Sequence, residues 1–150
     1  MADNRKTAEA LYAAFNEHDI PGILKLLTSD VEWNSFSVDW ALAIGYFKGH
    51  AGVKDFFAKL VGPAGQQQDV QFQPLEFFVS PKSVHVIGVE VGYLSAQVLN
   101  GTVANKPFFN NFDHTLWFAA NGKISKFRAN YNLAQQGPTF WPTTPTQFSI

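Results

Sequence analysis

The residues able to carry chemistry converge on one stretch. Phe108-Phe109-Asn110-Asn111-Phe112-Asp113-His114-Thr115-Leu116-Trp117-Phe118 sets an acid beside an imidazole among aromatic rings. The charge of a histidine changes near neutral pH, so it can give or take a proton there. Neighbours on a strand point to opposite faces, so Asp113 and His114 cannot both serve one interior. Phe112, His114, Leu116 and Phe118 share one face; Asp113, Thr115 and Trp117 share the other. Glu90 is the second candidate. It stands in Gly88-Val89-Glu90-Val91-Gly92, where the two glycines share its face and leave room for a ligand against bare backbone.

A buried carboxylate needs a partner, and His114 is the one expected for Glu90. A Glu–His pair in a dry cavity would hold the imidazole in one tautomer and support acid–base catalysis worth ~10²–10⁴-fold. Structural readings stand beside these. His114 also fits a core or interface histidine bonded to backbone, and Glu90 a salt bridge facing a partner. Asp113 is expected outside, paired with Arg128 or a neighbouring subunit. His18, His50 and His85 are expected at solvent or an interface. The four histidines and the carboxylates lack metal-ligand spacing such as His-Glu-x-x-His, so no metal and no cofactor are expected.

The elements that must position these residues are legible. Asn121-Gly122 between two β-rich runs marks a hairpin, with Lys123 to Tyr131 as the returning strand. On it Phe127, Ala129 and Tyr131 face in and Arg128 faces out. Asn100-Gly101 marks an earlier turn, Ser83 to Val98 a long strand and Val70 to Val79 another, kinked at Pro74. Towards the N-terminus, Ala8, Leu11, Tyr12 and Phe15 recur at helical spacing over Thr7 to His18. Asp19 caps a short second helix with Pro21 in its first turn. Val31 to Phe36 reads as a strand, Ser37 to Lys48 as an irregular loop containing Asp39 and Trp40, and Gly49 to Leu60 as a third helix. The long strand is apolar on both faces: one face packs on the helices, and the other meets a second subunit most simply.

The composition fits this picture. The chain has 150 residues, one domain's worth, with 46% apolar and 15% aromatic residues including fifteen Phe. Such aromatic content suits a large apolar cavity or a buried interface. A net charge of −1 without a basic run argues against nucleic-acid binding. The absence of Cys removes disulfides and thiolate chemistry. With no membrane span and no apolar signal core, a cytoplasmic protein is expected. Pro138 and Pro142 mark residues 135–150 as a tail lying over the body or a partner, behind a domain of residues 1–134.

Three segments carry a resemblance to a known family: Leu11-Tyr12-Ala13-Ala14-Phe15-Asn16-Glu17-His18-Asp19-Ile20 with Leu26 to Trp33; Tyr46 to Phe57; and His114 to Phe118 with Asn121-Gly122-Lys123-Ile124 and Phe127-Arg128. In order and spacing they resemble the nuclear transport factor 2-like superfamily, within it the SnoaL-like, ketosteroid isomerase-like and polyketide cyclase-like proteins. The resemblance implies an α+β fold. In it a cone-shaped, curved antiparallel sheet is wrapped by three N-terminal helices around a deep apolar pocket (a cystatin-like α+β barrel). Homodimers through the outer sheet face are common in it. It places His114 where ketosteroid isomerases keep a buried carboxylic acid, and Asn34 or Ser35 where they keep their Asp base; their helix-one Tyr falls at Leu11, beside Tyr12. Tyr12, Trp33, Tyr46, Phe57, Leu116, Phe127 and Tyr131 would then be pocket wall.

Function must still be argued from the pocket. One expectation is a cofactor-independent isomerase, cyclase or dehydratase acting on a small apolar carbonyl or enol compound, with His114 exchanging protons and Glu90 orienting it. A second is a non-catalytic binder of small apolar molecules. A third is a dimerisation domain filled by its own aromatics.

Overall fold

In the computed structural model, residues 3–36, 45–63, 65, 67–94 and 106–130 are described. Asp3 opens α1 (Asn4–Asn16) by accepting the Lys6 N–H on its carboxylate, and Asp19 opens α2 (Ile20–Lys25) by accepting that of Gly22. Pro21 sits in the first turn of α2, where its missing N–H costs nothing. The chain continues through β1 (Leu27–Phe36), β2 (Gly45–Lys48), α3 (Gly49–Val61), β3 (Gln67–Val79), β4 (Ser83–Leu94), β5 (Lys106–Phe118) and β6 (Ile124–Asn130).

The six strands form one curved, unclosed sheet in the order β2-β1-β6-β5-β4-β3. Register shifts between Gln68 and Gln71 and between Pro74 and Glu76 break the β3 ladder, and irregularities of this kind bend a strand. Ala8, Leu11, Tyr12 and Phe15 of α1 and Val53, Phe56, Phe57 and Leu60 of α3 are buried as helical spacing requires. Alternation along β4 and β5 buries Val84, Val86, Gly88, Glu90, Gly92 and Leu94 on one strand and Phe108, Asn110, Phe112, His114 and Leu116 on the other. The opposite face leaves Ile87, Val91, Tyr93 and Phe109 exposed.

The expected α+β architecture is observed, with two differences. The sheet is not wholly antiparallel, because β1 and β6 run parallel, Trp33 beside Phe127 and Ser35 beside Ala129. The stretch Ser37 to Lys48 is not all loop, because Gly45–Lys48 pairs with β1. Only Phe47 of that strand is buried, so it shows no alternation long enough to read. Asp39, Trp40, Asn100-Gly101, Tyr131 and the Pro-rich tail lie outside the described residues. Among the described residues no helix is long and apolar enough to cross a membrane.

Candidate active site

His114 occupies the middle of the inner face of β5, opposite Val86 on β4 and Ala129 on β6. Tyr12 comes down on it from α1, its hydroxyl 2.9 Å from His114 Nδ1. The sheet fixes one end of this contact and Asn16, one helical turn beyond Tyr12, fixes the other. The Asn16 side chain donates from Nδ2 to the Phe72 carbonyl (2.8 Å) and accepts the Phe72 N–H on Oδ1 (2.7 Å). The helix is thereby tied to β3 beside the first break in its ladder.

Rings enclose the imidazole. Phe112 stacks on it with centroids 4.3 Å apart and Phe127 meets it edge-on at 4.9 Å. Phe72 lies at 5.9 Å, and Tyr12 is parallel within 4°. Burial lowers the His114 pKa to about 3, with a smaller contribution from the charge of His85. Burial also raises the Tyr12 hydroxyl well above its ordinary range, assisted by Asp113. At neutral pH the pair is therefore a phenol and a neutral imidazole. When Tyr12 donates to Nδ1, Nε2 carries the imidazole proton. Such a pair can hydrogen-bond an oxygen, or relay a proton to it, without resting charge.

Glu90 does not meet His114. It lies opposite Asn110 and Phe72, whereas His114 lies opposite Val86. The four-residue offset corresponds to about 13 Å along the strand, so the expected Glu–His pair is corrected to two separate groups. Glu90 takes a long hydrogen bond from Asn110 Nδ2 (3.5 Å) and is fully buried. Burial raises its pKa to about 8 against the opposing pull of Asn110, so it is a carboxylic acid at neutral pH.

The flanking glycines also have a different role from the one expected. A Cβ on Gly88 would stand 2.5 Å from the Phe112 ring, and one on Gly92 3.1 Å from the Phe108 ring. The room beside bare backbone is taken by the chain's own rings.

Trp33, Phe57, Leu116 and Phe127 are all buried on the inner side. Trp33 stacks on Phe127 at 3.9 Å and packs against Phe57 at 5.6 Å. Tyr46 is corrected: it is 79% exposed, because Phe47 takes the inward position of β2 and alternation turns Tyr46 out. Ser35 shares the His114 rung through Ala129, and Asn34 lies on the opposite face beside Tyr46 and Lys126; neither supplies a base.

Asp113 is outside as expected, but its partner is His85 (2.5 Å), not Arg128, which lies over the Phe36 ring at 5.0 Å. His50 reaches the Leu27 carbonyl at 3.4 Å. Asn110 and Asn16 were not singled out from the sequence. Alternation from His114 points to Asn110, whereas nothing local marks Asn16.

Among the described residues no group of three or more His, Asp or Glu is placed to hold a metal ion. Surface cavities of about 720, 420, 400 and 380 Å³ lie away from His114 and Glu90; the largest runs between the start of α1 and the β3–β4 and β5–β6 turns.

Solved structures share this architecture. An NTF2-like protein of unknown function from Burkholderia pseudomallei is 24% identical, with 91% of this chain and 95% of that one covered and a TM-score of 0.74. TerC, co-crystallised with polyporic acid, is 26% identical over 91% of this chain and 96% of its own, with a TM-score of 0.73. Rv0760c from Mycobacterium tuberculosis, in complex with estradiol-17β-hemisuccinate, is 18% identical over 90% and 98%, with a TM-score of 0.70. No curated protein matches the sequence. The SnoaL-like domain is matched over residues 8–127, nearly all of the helices and sheet described above, and the chain belongs to that family.

Proposed function

We propose that this chain is a cofactor-independent isomerase, cyclase or dehydratase that binds a small, flat, apolar carbonyl or enol compound inside the cone. The observation that carries the reading is the Tyr12–His114 hydrogen bond inside a wall of rings. A carbonyl oxygen arriving there meets a neutral donor in a dry setting, where hydrogen bonds to developing negative charge are strongest. His114 and Tyr12 supply or remove the proton at that oxygen as the enol forms or collapses. Trp33, Phe57, Phe72, Leu116 and Phe127 supply apolar contact and exclude water. The likeness to TerC supports a flat aromatic ligand. The protein acts in the cytoplasm as a homodimer joined through the outer sheet face.

The test is turnover of a panel of enolisable apolar ketones, with polyporic acid as a competing ligand. The native chain is expected to convert at least one ketone, and His114→Ala to lose 10²-fold or more of that rate. An inert native chain, or an unimpaired His114→Ala, contradicts the mechanism. A second reading, a non-catalytic binder, is favoured because among the described residues no carboxylate stands beside His114, Ser35 being the side chain on its rung. Polyporic acid binding without turnover of any ketone selects it.

A further inference from the structure

The outer face of the sheet carries a second array that the Tyr12–His114 chemistry does not use. β1 lies between the edge strand β2 and β6, and the register lines up their outward side chains in rungs. One rung is Lys48–Glu32–Lys126 and the next is Tyr46–Asn34–Arg128. Three cationic side chains thus stand around one carboxylate. Both ammonium groups converge on Glu32, Lys48 Nζ at 3.9 Å and Lys126 Nζ at 3.6 Å. These contacts are long and open to solvent, so each ammonium keeps N–H donors for an incoming group.

A cavity of about 380 Å³ opens on these rungs, lined by Glu32, Asn34, Tyr46, Phe47, Lys48 and Lys126. Asn34 is the buried polar residue of this lining. It is 6% exposed although it belongs to the outer face, where Glu32 on the same strand is exposed. A sunken amide of this kind offers two N–H donors and a carbonyl acceptor. The wall beside it is aromatic. Tyr46 is largely exposed, and its ring meets Phe36 edge-on with centroids 5.4 Å apart. Arg128 lies over the Phe36 ring in turn. Positive charge, an amide and an open ring therefore border one cavity, of a size that ligand sites have (about 300–1,000 Å³).

We propose that this cavity binds a small, flat aromatic carboxylate. The carboxylate takes N–H donors from Lys48, Lys126 and Asn34 Nδ2, and the ring lies against Tyr46. The excess of cations selects an anion over a neutral ring. The open Tyr46 ring selects an aromatic anion over phosphate. The site stands on β2, β1 and β6, whereas Ile87, Val91, Tyr93 and Phe109, exposed on the same face, stand on β4 and β5. It neither uses nor requires the proposed reaction inside the cone.

The probe is 2-naphthoate, with 2-naphthamide as its neutral counterpart and inorganic phosphate as an anion without a ring. Each is titrated into the ¹⁵N-labelled full chain at low ionic strength, and the Asn34 side-chain amide is followed by NMR. Naphthoate is expected to move that signal and to bind about tenfold more tightly than naphthamide. The preference shrinks as salt is added. Lys48→Gln combined with Lys126→Gln brings the two affinities together, and Tyr46→Ala weakens both probes by about threefold or more. No binding, or equal affinities in the native chain, overturns the site without any variant having to fold. Naphthoate binding that leaves the Asn34 signal in place, a preference that survives the double variant, or phosphate binding as tight as naphthoate also overturns it. None of these results touches the proposed function.

Discussion

At the residue scale, burial moves His114 and Glu90 in opposite directions. The folded His114 titrates near 3 against an ordinary 6.5, so between those values the unfolded chain holds the extra proton and stability rises with pH. The folded Glu90 titrates near 8 against 4.5, so between those values the folded chain holds it and stability falls with pH. The two windows overlap. Their combined effect is a rise from pH 3 to 4.5, a plateau to 6.5 and a fall to 8. Thermal melts across that range are expected to show the plateau, and Glu90→Gln to remove the fall on the alkaline side. A melting temperature that climbs from pH 6.5 to 8 contradicts the protonated Glu90. Tyr12→Phe removes the hydroxyl that meets His114 Nδ1 and is expected to cost about 1–3 kcal/mol in urea unfolding; an unchanged midpoint argues against the Tyr12–His114 contact. Alternation alone identified His114 as inward and Asp113 as outward. It could not pair Glu90 with Asn110, because that depends on the register between β4 and β5. Tyr46 misled for a similar reason: choosing between Tyr46 and Phe47 requires knowing which face of a four-residue strand is covered.

At the element scale, the site depends on α1 holding its height over the sheet. Asn16→Ala removes both hydrogen bonds to the Phe72 backbone. The expected loss is about 1–3 kcal/mol, with broadened Tyr12 ring signals as the helix end loosens. A variant as stable as the native chain would show that the clamp contributes little. Gly88→Ala is expected to be worse than Gly92→Ala. Its Cβ would stand 2.4 Å from the Gln73 carbonyl oxygen and 2.5 Å from Phe112, against 2.9 and 3.1 Å for the nearest atoms at Gly92. Overpacking of this kind typically costs about 1–3 kcal/mol, and chemical denaturation gives the order of the two. α1, α3 and the long strands were legible because their apolar periods are regular over ten residues or more, and α2 because Asp19 and Pro21 mark its start. The parallel β1–β6 junction was not, since nothing in either strand records a neighbour so distant in sequence. The clamp went unread for the same reason: Asn16 is unremarkable until Phe72 is beside it.

At the scale of the whole molecule, the sheet divides its work between two faces. The inner face holds the aromatic box, and the outer face exposes Ile87, Val91, Tyr93 and Phe109 around the His85–Asp113 pair. Exposed apolar side chains gathered on one sheet face are the mark of an interaction surface. Sedimentation is expected to give a dimer for the native chain and a monomer for Ile87→Lys combined with Phe109→Lys; a monomeric native chain removes the outer-face assembly. The apolar content of both β4 faces made this division legible. In the proposed function an apolar ligand meets Tyr12 and His114 inside the cone. The most direct test is an NMR titration of the ¹⁵N-histidine-labelled chain with polyporic acid. The His114 ring nitrogens, neutral from pH 5 to 8, are expected to shift as the ligand binds, and the shift to be lost in Tyr12→Phe. Binding that leaves the His114 signals in place while moving those of His85 on the outer face would contradict it.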